Sequence, residues 1–153
     1  INPMGKIPTL RYGDTVITEA AAIILFLADL FPEKQLAPAV GTAERGEYYR
    51  WFCFMVGPME AAMMEKFWKL TPPPEASKSL GYGDFERVVH TIEQALTGKS
   101  YLVGAQFTAA DLYLCAFLQF SYRMQVWPES SVCRNYIQRI EQREAYIRAM
   151  RSM

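Results

Sequence analysis

The sequence predicts a mostly α protein, in which a short piece of α/β structure leads into an all-helical domain. Three observations carry that reading. Strand-like segments are confined to residues 7–18, and from Thr42 onward apolar residues recur at helical spacing. The breaks between segments are marked by Pro32, Pro38, Gly57-Pro58, Pro72-Pro73-Pro74, Gly98 and Pro128. A chain of 153 residues, 51% hydrophobic and 21% charged, has the length and balance to bury one good core.

Taken in order, Ile7-Pro8-Thr9-Leu10-Arg11 is extended by residue type. Tyr12-Gly13-Asp14 reads as a turn, and Thr15-Val16-Ile17-Thr18 returns as a second strand. Two such strands alone are marginal in water, so more sheet and a covering helix are expected. The helix follows from Glu19 to Leu30. It is apolar almost all round, which predicts packing on more than one side, and Pro32 stops it. Its unbroken apolar run, Ala20 to Ala28, falls well short of the roughly 20 residues a bilayer span needs.

Residues 33–41 are a polar connection containing Pro38, and the reading divides the chain there: 1–32, a linker 33–41, and a helical domain 42–153. Thr42 is a helix N-cap with Glu44 in the first turn. The aromatic run Tyr48-Tyr49-Arg50-Trp51-Phe52 continues to Gly57-Pro58, which should kink or break the helix, and a segment from Met59 to Leu70 follows. Phe85, Val88, Val89, Ile92 and Leu96 share one helical face that ends at Gly98, while His90 lies on the opposite, solvated face with Glu86, Glu93 and Gln94.

Phe107-Thr108-Ala109-Ala110-Asp111-Leu112 carries two helix-start devices at once: a capping box between Thr108 and Asp111, and a hydrophobic staple between Phe107 and Leu112. Both serve the fold. The helix beyond, Leu112 to Phe120, is nearly all apolar and is expected to run through the centre of the domain, with Cys115 as an inert buried thiol. After Pro128 a further helix turns Tyr136, Ile137 and Ile140 inward and Arg134, Arg139 and Arg143 outward. A last helix forms near Ala145-Tyr146-Ile147.

Charge and cysteine content narrow the function. Sixteen basic residues balance sixteen acidic ones, so no net field draws in nucleic acid or an anionic membrane. Cys53, Cys115 and Cys133 are odd in number and without CxxC spacing, and with the one histidine they form no recognisable zinc set. No metal is expected, and a reducing, cytoplasmic setting is. The chain opens Ile1-Asn2-Pro3-Met4, without an initiator methionine or a signal-peptide pattern, which raises the expectation of a segment upstream of Ile1.

Asn2-Pro3-Met4-Gly5-Lys6-Ile7-Pro8-Thr9-Leu10, then Thr18-Glu19-Ala20, then the Thr108–Asp111 box in a helical domain resemble the cytosolic glutathione transferases. The resemblance covers essentially the whole chain, and the style of Gly57-Pro58-Met59-Glu60 points to the bacterial branch. It implies that residues 1–32 are the second half of a thioredoxin-like domain and that 42–153 are the family's all-α C-terminal domain. The missing strand–helix–strand unit, with the serine, tyrosine or cysteine that contacts the glutathione sulfur, would precede Ile1, and the 153 residues alone would then be inactive.

Residue by residue, the resemblance implies a cis Ile7–Pro8 bond that turns the Ile7 backbone toward the cysteinyl part of glutathione. It gives Glu19 the γ-glutamyl ammonium and the helix start the γ-glutamyl carboxylate. Lys6 either meets the glycyl carboxylate or is a solvated loop lysine. Ala20 departs from the family's usual serine, which implies weaker glutathione binding. Of the stripe Tyr48, Tyr49, Phe52 and Met55, ordinarily a core stripe, Tyr48 and Phe52 are taken to face the electrophile pocket. The implied reaction is attack of the glutathione thiolate on a small hydrophobic electrophile, in a homodimer with a detoxification role. Isomerase, peroxidase and dehalogenase chemistry stay open, and so does a non-enzymatic binding or interaction scaffold.

Overall fold

In a computed structural model, which describes residues 1–152, β1 (Thr9–Tyr12) and β2 (Thr15–Thr18) form a two-stranded antiparallel sheet. Thr9 pairs with Thr18 and Tyr12 with Thr15, and Gly13 takes the positive φ (58°) that the intervening turn requires. Helix α1 (Ala20–Leu30) packs on this sheet with one side and on α5 (Ala109–Arg123) with another. That two-sided packing is less complete than its composition predicts: only Ile23 and Ala28 are buried, and Leu27 is 36% exposed.

A 3-10 turn, Pro32–Lys34, closes α1 and leads to α2 (Ala43–Phe54), capped by the Thr42 hydroxyl, which accepts from the Arg45 amide at 3.3 Å. The connection is stitched down at both ends. The Leu36 carbonyl accepts from the Ala109 amide at 2.7 Å. The buried Arg45 guanidinium donates to the Pro38 carbonyl at 2.9 Å and to Asp29 Oδ1 at 2.6 Å.

Gly57 and Pro58 do not break the helix that follows. Met55–Met59 widens into a π turn that accommodates the missing proline N–H, and the chain runs straight on into α3 (Glu60–Trp68). Lys69 then adopts φ 54° and the Leu70 amide returns to the Glu65 carbonyl at 3.0 Å, which ends α3 before the prolines. A 3-10 turn (Pro74–Lys78) leads to α4 (Phe85–Leu96), whose five apolar face residues are all buried, while His90 is exposed.

α5, α6 (Ser131–Glu141) and α7 (Glu144–Arg151) complete the helical part. The core lies among α2, the π turn, α3, α4, α5 and α6, centred on Tyr48, Met55, Met59, Ile92, Leu114, Leu118 and Tyr136. α5 is central on one side only. Leu114, Cys115 and Leu118 are buried, whereas Leu112 is 44% and Phe120 47% exposed. Phe107, just ahead of α5, packs edge-on against Tyr101 and lies 3.6 Å beneath the Arg143 guanidinium.

The start of α5 is the densest polar site in the core. Asp111 forms the reciprocal box with Thr108 and also gathers further donors. Oδ2 accepts from the Thr108 amide (2.7 Å) and hydroxyl (3.0 Å), and Oδ1 accepts from the Leu102 amide and the Tyr136 hydroxyl, both at 2.7 Å. Cys115 is buried nearby, and its thiol is pushed up to about 12 by burial, so it is no nucleophile at neutral pH. No helix among the described residues is long and apolar enough to cross a membrane.

Candidate functional site

Where the sheet and α1 meet the helical part, a cleft of about 740 Å³ opens. Its first wall is built by the loop before β1. Asn2 organises this loop: Oδ1 accepts from the Met4 amide at 2.9 Å, Nδ2 donates to the Lys6 carbonyl at 2.8 Å, and the Asn2 carbonyl accepts from the Gly5 amide at 2.9 Å. Gly5 sits at φ 62°, where a side chain is disfavoured. The chain then passes through a cis Ile7–Pro8 bond into β1, leaving Ile7 92% exposed at the cleft.

Glu19 forms the floor. It stands at φ 66°, ψ 115°, outside the regions a non-glycine residue favours, and its side chain makes no cap to α1. Its carbonyl accepts from the Ile23 amide at 3.0 Å, which starts the helix and leaves the amides of Ala20, Ala21 and Ala22 as the first-turn donors. All three alanines line the cleft, and none of them carries a side chain that could cover those donors. A helix start of this kind favours an anion.

Val56 and Glu60, from the π turn and α3, and Tyr113 and Phe117, from α5, make the facing wall. Tyr113 is set by its neighbours, stacked on Phe52 at 5.5 Å and edge-on to Phe117 at 5.4 Å. Burial pushes its phenol above the ordinary value of 10, and the carboxylates of Glu60 and Glu19 push the same way, so it stays a neutral O–H donor at neutral pH.

Lys6, Ile7, Pro8, Glu19 and Ala20, singled out from the sequence, all line this one cleft. Tyr48 and Phe52 do not. They are 0% and 2% exposed and belong to the core, where burial drives the Tyr48 hydroxyl well above its ordinary value. Phe52 reaches the cleft only by backing the Tyr113 ring. Thr108 and Asp111 are buried in the core and are absent from the cleft's lining. The residues the sequence reading missed carry a simple signal: Val56 and Glu60 each follow a core methionine by one position, and Tyr113 and Phe117 each precede a core leucine. One residue is about 100° around a helix, so the cleft wall is the flank of the core stripe.

The family model for the glutathione S-transferase C-terminal domain matches residues 59–144. Glutathione S-transferase GstA of Escherichia coli O157:H7 is 29% identical over 127 residues, covering 82% of this chain and 62% of that protein. Glutathione S-transferase Z2 of Arabidopsis thaliana is 30% identical, covering 84% and 61%. The chain thus spans a little over three fifths of the length of these relatives. The crystal structure of a glutathione transferase from Methylococcus capsulatus superposes with a TM-score of 0.78 at 33% identity, over 99% of this chain and 75% of that one. A sphingomonad glutathione S-transferase complexed with glutathione gives 0.76 at 26% identity, over 99% and 75%. With a mostly α architecture, a matching domain model and relatives along nearly its whole length, the chain belongs to the glutathione S-transferase family.

Proposed function

We propose that the protein binds glutathione in the cleft between the sheet and the helical part and directs its thiolate onto a small hydrophobic electrophile. The observation that carries this reading is the lining of that cleft, with Lys6, Ile7, Pro8, Glu19 and Ala20 on one wall and Val56, Tyr113 and Phe117 on the other. In this reading the Ile7 backbone pairs with the cysteinyl unit. The α1 amides take the γ-glutamyl carboxylate, Glu19 its ammonium, and Lys6 the glycyl carboxylate. The electrophile occupies the side of Val56, Tyr113 and Phe117, in place of the Tyr48 and Phe52 expected from the sequence.

A free thiol with a pKa of about 8.5 is only a few per cent ionised at neutral pH, so lowering that value by about two units raises the thiolate more than tenfold. The proposal assigns that task to a hydroxyl or thiol donor upstream of Ile1, in a strand–helix–strand unit. Residues 1–32 are then the rest of a thioredoxin-like domain, 33–41 the linker and 42–153 the helical domain. The working form is a cytoplasmic homodimer with a role in detoxification. On this reading the 153 residues alone turn over no substrate.

The test is conjugation of glutathione to 1-chloro-2,4-dinitrobenzene by the natural protein, alongside its intact mass. Turnover well above the uncatalysed rate is expected, with a mass roughly 4–6 kDa beyond that of 153 residues for the additional unit. Glutathione binding without turnover toward any of several electrophiles would favour a ligand-carrying scaffold. Full activity from a protein whose mass equals these 153 residues would overturn the upstream donor.

A further inference from the structure

Charge in the cleft is unevenly assigned. In the proposed complex Lys6, the α1 amides and Glu19 serve the glutathione side. That leaves one charged group on the opposite wall, Glu60, in the first turn of α3 and one turn beyond Val56. Among the described residues Glu60 takes part in no ion pair. Its neighbours in the lining are apolar or aromatic: Val56, Phe117, and Tyr113, which stays a neutral phenol. Among the described residues, no lysine, arginine or histidine other than Lys6 lines the cleft. The second-substrate side is therefore an apolar and aromatic surface bearing a single carboxylate.

We propose that Glu60 sets the charge preference of this side, selecting apolar electrophiles that carry an amine cation and turning away those that carry a carboxylate. The inference rests on the cleft being the glutathione and electrophile site. A cation held there gains the Glu60 charge beside the aromatic side chains of Tyr113 and Phe117. With glutathione bound, Lys6 is engaged by the glycyl carboxylate and Glu19 by the γ-glutamyl ammonium, so an anion on this side meets the unengaged Glu60.

The experiment uses the natural protein and its Glu60→Gln variant, with three aryl electrophiles matched in intrinsic reactivity. They differ only in a remote ammonium, neutral or carboxylate substituent, and the neutral compound is the internal reference on each protein. Glu60 is exposed and water screens its charge, so for the wild type kcat/KM is expected to be about twofold to fivefold higher for the cation than for the neutral compound, and lower for the anion by a similar factor. In Glu60→Gln both ratios should collapse toward one. Ratios that persist in the variant overturn the proposal. So does a change confined to the KM for glutathione, because Glu60 would then serve the glutathione ammonium.

If the neutral compound is not turned over at all, the catalytic reading fails on its own. The role of Glu60 is then decided by equilibrium binding of unreactive benzyltrimethylammonium and benzoate. Preference for the cation that disappears in Glu60→Gln supports it, and equal binding of the two by the wild type overturns it.

Discussion

The Tyr136 hydroxyl donates to Asp111 Oδ1 at 2.7 Å and so fastens α6 to the first turn of α5 in the middle of the core. The same carboxylate holds the Leu102 amide and both donors of Thr108, so one side chain joins three stretches of chain. Its removal is expected to cost more than an isolated helix cap, for which about 0.5–2 kcal/mol is usual. Asp111→Ala strands several buried donors, and a loss of about 3–5 kcal/mol is expected. Tyr136→Phe leaves Oδ1 with the Leu102 amide and should cost only about 1–2 kcal/mol. Urea unfolding of the two variants measures both, and an Asp111→Ala loss no larger than that of Tyr136→Phe would remove the carboxylate from its central place.

Acid should affect this carboxyl in a defined direction. Burial pushes Asp111 above its ordinary 3.8, against the pull of the Leu102 and Thr108 amides and the Tyr136 and Thr108 hydroxyls. A group whose folded value is raised contributes stability in full below its unfolded value, and that contribution is lost as pH rises through the folded value. Relative to Asp111→Asn, which does not titrate, wild type should therefore gain stability as pH falls through the raised value toward 3.8. Unfolding curves of the two proteins at pH 4 and pH 7 give the difference. A gap that narrows on acidification would mean that the hydrogen bonds outweigh burial.

Much of this architecture could be read from periodicity and capping. Phe85, Val88, Val89, Ile92 and Leu96 are buried as their spacing predicts, and Thr42 and Thr108 both stand at helix starts. Lys6, Ile7, Pro8, Glu19 and Ala20 were legible only through a family pattern, because no local rule brings a loop, a strand edge and a helix start into one cleft. Tyr48 and Phe52 went astray for a physical reason. An apolar stripe marks the face of a helix that avoids water, but its period does not say whether that face meets a core or a cavity. The π turn was hidden as well, since Gly-Pro signals an interruption without saying whether the helix stops or widens.

Arg45 and Asp29 join α2 to α1, and the two partners differ in burial: the arginine side chain is 6% exposed and the aspartate 56%. Substitution should therefore be asymmetric. Asp29→Ala leaves a buried guanidinium with the Pro38 carbonyl and the rings of Tyr48 and Tyr49 but no counter-charge, at an expected cost of about 3 kcal/mol. Arg45→Met returns Asp29 to water and also removes the buried Arg45 Nε, which has no partner among the described residues. A loss of about 1–2 kcal/mol is expected there. Thermal melts of the two single variants decide the order, and equal losses would mean that the pair acts as an ordinary surface bridge.

Ala20 presents a backbone amide to the cleft without a hydroxyl beside it. In the proposed site, Ala20→Ser adds a donor for the γ-glutamyl carboxylate, and a hydrogen bond to a charged group is worth at most about 1.5–3 kcal/mol. With water already supplying part of that bond, glutathione should bind about threefold to tenfold more tightly. Calorimetric titration of the natural protein and the variant tests this. An unchanged or weaker constant would place the carboxylate away from the start of α1.

Glu19 permits the separation of strain from binding. At φ 66° its Cβ is the source of the strain, so Glu19→Gly should relieve it and stabilise the fold by about 1 kcal/mol, net of the glycine's greater unfolded freedom. Glu19→Gln keeps the strain and removes only the charge, leaving stability nearly unchanged. Both variants lose the carboxylate proposed to pair with the glutathione ammonium, and both should bind glutathione at least about tenfold more weakly. The two readouts are therefore expected to diverge: melting temperature distinguishes glycine from glutamine, while affinity does not. If the glycine variant alone lost affinity, the backbone geometry at Glu19 would be what glutathione recognises, and its charge would not.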